Sequence, residues 1–184
     1  MQRNTTHMNH KLLFYLLLPG LVTTSCVYFN TFYNAETSYE KALIIIEESP
    51  ITVEDKLPSQ AGKLLGEAIE NSKLVIENYP DSKFIDDAVF IIGRASFLRD
   101  EVAIAEKYFK MILELYPESR FYQLTEIWLA YTYFRMGLID SAQTDLNKIQ
   151  ARNPNDKKQL FIIHNLLAEI SMETNNLEQV YYHY

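Results

Sequence analysis

Few side chains in this chain could carry chemistry. Cys26 is the only cysteine among 184 residues, so no intrachain disulfide can form. Its thiol is left for acylation or for burial. Beyond residue 25 there are two histidines, His164 and His183. They are far apart and lack neighbouring Cys, Asp or Glu at metal-ligand spacing. A glycine-rich phosphate loop, a nucleophile elbow and an H-E-x-x-H pattern are all missing from the sequence. The acidic pairs Glu47-Glu48 and Asp86-Asp87 are adjacent in sequence. On a helix such pairs point to different faces, so they read as solvated surface and not as a general acid and base. The sequence therefore predicts no enzyme, no cofactor and no metal.

Composition narrows the remaining classes. Hydrophobic residues make up 48% and charged residues 22%, the profile of a globular chain with a sizeable core. Only 5 glycines and 6 prolines are present, which favours helices over a many-turned β fold. The formal net charge is −7, and 15 basic residues face 24 acidic ones beyond residue 25. With no Lys/Arg cluster to offset this, a nucleic-acid partner is excluded.

Cys26 sits at the end of a distinctive N-terminal stretch, "HKLLFYLLLPGLVTTSC". Lys11 precedes an apolar run from Leu12 to Leu18, a Pro19-Gly20 break, and small polar residues. That order is a secretory signal, predicted to occupy residues 1–25. The run is too short for a permanent membrane span. "VTTSC" resembles the lipobox of bacterial lipoproteins, with small Ser25 before the cysteine. It departs from the commonest form in having Thr23 where leucine is usual. The resemblance implies that Cys26 carries the lipid, palmitate included. The alternative is an ordinary cleaved signal with a buried cysteine. Val27, and not aspartate, follows Cys26; by analogy with enterobacterial sorting this implies the outer membrane. Residues 26–34 then form a lipidated tether.

Beyond residue 34 the sequence repeats. "YPDSKF" at 79–84 returns as "YPESRF" at 116–121, and "NPND" follows at 153–156, each 37 residues after the last. A period of this length signals stacked supersecondary units. Between the marks, apolar residues recur at helical spacing: Phe84, Ala88, Ile91, Ile92, Ala95 and Leu98, then Ile104, Ala105, Tyr108, Phe109, Ile112 and Leu115. The following period repeats the two helices, with Gly137 as the stop of the first. Ser82, Ser119 and Ser59 are expected N-caps. "SPITVEDKLPS" reads as an exposed insertion loop, and "LEQVYYHY" as the start of a last, incomplete partner helix.

These residues resemble the tetratricopeptide repeat. Gly93, Ala105, Phe109 and Pro117 fit one unit; Ala130, Tyr133, Gly137, Ala142, Leu146, Ile149 and Pro154 fit the next. The resemblance implies an all-α, TPR-like solenoid of antiparallel helix pairs over residues 35–184, about four repeats with the last incomplete. It also implies a concave groove lined by the first helices, where protein segments bind. The groove positions carried over are Phe90, Arg94 and Phe97, then Leu124, Ile127, Tyr131, Phe134 and Arg135, and His164. Aromatics with arginine are the composition of binding hot spots. Trp128 falls at a helix position that is usually core or groove, and core is the expectation.

Cys26, the aromatic stretch "VYFNTFYNAETSY" and the YP-punctuated repeats together resemble outer-membrane assembly lipoproteins of the BamD/YfiO type. That resemblance implies a periplasm-facing scaffold of the machine that inserts β-barrel proteins, with the barrel component or unfolded substrates as partners. "YFNTFYNAE" is similar also to envelope TPR lipoproteins that serve gliding and secretion. A soluble TPR adaptor without lipid is the remaining alternative.

Overall fold

The computed structural model describes residues 10–49 and 57–174, with side chains from Phe29 onward. Residues 1–9 of the expected signal, 50–56 of the expected insertion loop and 175–184, including His183, lie outside the described residues. The described residues form seven α-helices and no strand. These are α1 (His10–Glu48), α2 (Ser59–Asn78), α3 (Ile85–Leu98), α4 (Val102–Leu115), α5 (Tyr122–Arg135), α6 (Ile139–Arg152) and α7 (Lys157–Glu173). Among them no helix is long and apolar enough to cross a membrane.

Each helix packs on the next in sequence, and the odd helices also touch one another: α1 with α3, α3 with α5, α5 with α7. The even helices do not meet in this way. The stack is therefore an α-solenoid with a tight layer of odd helices and a splayed layer of even ones, which curves it toward the odd side. The stretch 26–34 falls within α1, and Phe32, 5% exposed, stacks on Phe84 with ring centroids 4.4 Å apart.

The 37-residue punctuation is a set of backbone hydrogen bonds. Tyr79, Tyr116 and Asn153 each end an even helix and donate to Val75, Ile112 and Ile149 four residues back, at 3.0, 2.9 and 3.3 Å. Within each repeat the turn also recurs. Asp100 and Gly137 have positive φ (63° and 78°), and the next residue's N–H reaches Ser96 or Tyr133 at 2.9 Å. This is the Schellman close of a helix. Glycine adopts it freely, and aspartate tolerates it better than most residues.

The capping serines act one step earlier than the sequence suggested. Helices α3 and α5 begin at Ile85 and Tyr122, with Phe84 and Phe121 as N-caps. Ser82 and Ser119 accept from those phenylalanine N–H groups at 2.9 and 3.2 Å, bracing the turn and not the helix's first free amides. Ser59 is the first residue of α2, and Pro58 precedes it as cap. Pro58 suits that place because it presets φ.

Packing follows a small-against-large rule. Gly93 of α3 lies under Phe109 of α4: a Cβ added there would stand 2.7 Å from the ring. Phe109, Ala105 and Ala142 are fully buried, and Ala130 is 1% exposed. Helix α3 is buried on nearly every side, because α1, α2, α4 and α5 all touch it.

Asp87 overturns the expectation that the acidic pairs are solvated. It is 8% exposed and accepts a hydrogen bond from Arg120, which reaches back from the turn before α5. Burial pushes its carboxyl above the ordinary value of 3.8, and Arg120 only partly offsets this. Glu36 on α1 is raised likewise, by burial and by Glu40 and Asp87. Glu47 and Glu48 are exposed as expected.

Two stability experiments test this packing. Gly93→Ala drives a methyl into the Phe109 ring and should cost about 1–3 kcal/mol in urea unfolding. Gly66→Ala meets only the tip of Arg99, at 3.4 Å, and should be neutral or stabilising by up to about 1 kcal/mol. The second concerns Asp87. The folded state binds its proton more tightly than the unfolded chain, so its ionisation costs stability as the pH rises above the ordinary aspartate range. Asp87→Asn should therefore gain stability relative to the parent on going from acidic to neutral pH, as read by unfolding at both. A stability difference that instead shifts toward the parent between acidic and neutral pH would show the Arg120 pair outweighing burial.

Candidate protein-binding face

Because the odd helices lie side by side, one row of side chains crosses three of them. Tyr39 comes from α1, Arg94 from α3, and Trp128 and Tyr131 from α5. Glu169 of α7 extends the row: the Tyr131 hydroxyl donates to its carboxylate, 2.7 and 2.8 Å from the two oxygens. Burial, and secondarily Glu169, hold the Tyr131 phenol well above its usual range.

Arg94 is the centre of this row. Its guanidinium lies flat on Trp128, with Cζ 3.3 Å from the ring centroid. Such a stack is a cation–π contact, strongest with tryptophan. Nη1 is buried and has no hydrogen-bond partner. Burial works against the charge of Arg94, while Tyr39 and Tyr131 favour it. A buried cation is normally paired with an anion. Here the face of the guanidinium is satisfied by aromatic rings, and one edge is not satisfied. The residue as a whole is only partly buried, so a segment laid on the odd-helix face can reach the guanidinium, but Nη1 itself lies beneath the surface and gains an acceptor only if a neighbouring side chain shifts.

The other sequence-predicted groove residues divide into two groups. Phe90, Phe97, Ile127 and Phe134 are 5%, 5%, 1% and 4% exposed. They line no open groove, and their assignment to one is corrected. Phe90 stacks on Phe121 at 4.1 Å, and Phe97 packs against Trp128 and Tyr131 at 5.4 and 5.0 Å. The reason is geometric: α3 is enclosed by α1, α2, α4 and α5, and α5 by α3, α4, α6 and α7, so even residues on Arg94's own side of α3 are covered by neighbouring rings. Leu124 is half-buried.

Tyr131, Arg135 and His164 keep some surface. Arg135 pairs with Asp100 at 2.7 Å and lies 5.8 Å from the Phe97 ring. This exposed pair ties the α5 end to the preceding repeat's turn but contributes little stability. The His164 Nε2 lies 3.3 Å from the Gln150 amide, and so faces α6. Arg94 and Tyr131 thus come together, Arg135 acts on Tyr131 from the end of α5, and His164 stands apart from them.

Sequence reasoning missed Tyr39 and Glu169 and placed Trp128 in the core. One signal was available for Trp128: it lies one turn ahead of Tyr131, the groove position carried over on α5. Nothing in the sequence pairs Tyr39 with Arg94, because the loop between α1 and α2 breaks the 37-residue period there. Among the described residues no group of three or more His, Cys, Asp or Glu could hold a metal ion.

The tetratricopeptide-repeat family model matches residues 87–119 and 127–156. These segments are the pairs α3–α4 and α5–α6 with their turns. No curated protein matches the chain. The two helix pairs that carry Arg94, Trp128 and Tyr131 thus match the tetratricopeptide repeat, which in general serves protein interaction.

Proposed function

We propose that this protein is a lipid-anchored scaffold of the outer membrane that faces the periplasm and holds protein partners on its odd-helix face. The observation that carries the binding half is the unpaired edge of Arg94, buried against Trp128. A backbone carbonyl or carboxylate of an extended partner segment supplies the missing acceptor. The surrounding rings of Tyr39, Trp128 and Tyr131 supply apolar contact at low entropic cost. The signal-like residues 1–25 and the lipobox-like "VTTSC" support the anchoring half, with the acyl chain on Cys26. Similarity of the lipobox, the aromatic stretch after it and the YP-punctuated repeats to BamD/YfiO-type lipoproteins supports a place in β-barrel protein assembly. The partners would then be the barrel component or unfolded substrate tails. On this reading the protein catalyses no reaction and needs no cofactor.

Each half has its own test. Arg94→Ala should weaken capture of the partner set from solubilised envelope at least about tenfold, the ratio that 1.4 kcal/mol represents. Helix content by circular dichroism should not change. Arg94→Lys should rescue poorly, since an ammonium cannot stack as a planar fork on Trp128. Full capture by a folded alanine variant would move the binding surface elsewhere. Separately, Cys26→Ala should abolish labelling by a fatty-acid analogue and release the protein into the soluble periplasmic fraction. Labelling that persists in the alanine variant would end the lipoprotein reading.

A further inference from the structure

Helix α1 exposes two aromatic rings close to Cys26. Phe32, which packs on Phe84, points into the repeats. Phe29 and Tyr33 do not: they are 59% and 54% exposed. Their positions are i+3 and i+7 relative to Cys26 in a helix that runs unbroken through all three. Those offsets fall on one helix face. At 1.5 Å per residue, Phe29 lies about 5 Å and Tyr33 about 10 Å beyond Cys26 along the axis. Two large aromatics exposed together are unusual beside a well-packed core.

The corner next to them adds a cation. Phe29 meets Phe84 edge-on at 6.5 Å. Lys83, which is exposed, holds its ammonium 4.9 Å from the Phe84 ring. Asp81, also exposed, is the nearest acidic residue in sequence before it. Aromatic rings with one wet edge, beside a lysine, match the chemistry of a phospholipid headgroup layer.

We propose that the α1 face carrying Phe29 and Tyr33 is a membrane-contact surface. The two rings seat in the headgroup region, and Lys83 lies near the lipid phosphates. This rests on the lipid anchor at Cys26. An acyl chain at that position brings the membrane surface within two helical turns of both rings, which is why lipid and not a protein is the occupant argued for. The contact would fix the tilt of the solenoid at the membrane, where the anchor at Cys26 alone would hold the chain there but leave it free to swivel.

Tryptophan fluorescence can read this directly. Trp128 is the only native tryptophan and lies far along the stack, so it serves as an internal reference. Full-length Phe29→Trp and Tyr33→Trp proteins would be purified and their acylation checked by intact mass. They would then be reconstituted in phosphatidylethanolamine–phosphatidylglycerol vesicles containing brominated acyl chains. The added tryptophan should be blue-shifted and quenched several-fold more than Trp128 in the parent. An acylated protein whose added tryptophan is quenched no more than Trp128 overturns the contact while leaving the anchor intact. A blue shift without bromine quenching means that protein, a second copy or a partner, covers the face, and this overturns it too. Should the mass show no acyl group, the anchor reading fails by itself. Vesicle co-sedimentation lost in Phe29→Ala/Tyr33→Ala would then sustain the surface, and no sedimentation of the parent would overturn it.

Discussion

The close approach of α3 and α4 at Gly93 and Phe109 is the constraint on which the stack depends. The ring occupies the space a side chain at position 93 would need, so the two helices cross at a distance only glycine permits. One period later the same register holds Ala130 and Leu146, both buried in one cluster. The small partner has grown by a methyl and the large one has shrunk from an aromatic ring to a branched aliphatic chain. Close packing tolerates such exchanges when the total volume is kept. One period earlier Ala68 stands in register with Ala105, but Ser72 stands where Phe109 and Leu146 do. Ser72 is fully buried and its hydroxyl has no partner. The first helix pair is therefore built differently, and α1, longer than any other helix, meets both α2 and α3.

The repeat was legible in the sequence because its signals are local. The three marks at 79, 116 and 153 translate into matching backbone hydrogen bonds, and Gly137 closes its helix as a glycine at that spacing should. Asp100 performs the same closure with the wrong residue type, and a sequence reading sees only a short turn there. The expected serine caps stand two residues before the actual N-caps Phe84 and Phe121, because a serine's preference for turns and for N-caps has one origin, a hydroxyl beside free backbone amides. Only the backbone path decides between them.

The face was much less legible. Helical periodicity identifies an apolar stripe but does not say how many neighbours the helix will have. With α3 enclosed on most sides, Phe90 and Phe97 went to the core. Arg94, between them in sequence, stayed partly at the surface with its plane on Trp128. Asp87 was misjudged for a related reason. Its partner Arg120 is 33 residues away, in the turn before α5, a distance at which no sequence spacing rule operates. Long-range polar pairs of this kind decide which buried charges are compensated, and by contrast make the uncompensated edge of Arg94 informative.

The proposed anchor and the proposed binding face share one element. Helix α1 carries Cys26, then the exposed pair Phe29 and Tyr33, then Phe32 against the first repeat, and finally Tyr39 beside Arg94. From position 26 to position 39 the rise is about 20 Å along a helix. With Cys26 as the lipid site, the Arg94 face is held at a set distance from the bilayer by a helix packed into the stack from Phe32 onward. A flexible linker of similar length would let the solenoid sample all orientations; a packed helix does not. Such a geometry suits segments that emerge at the membrane surface, because the scaffold then holds the Arg94–Trp128 stack at one height and one tilt.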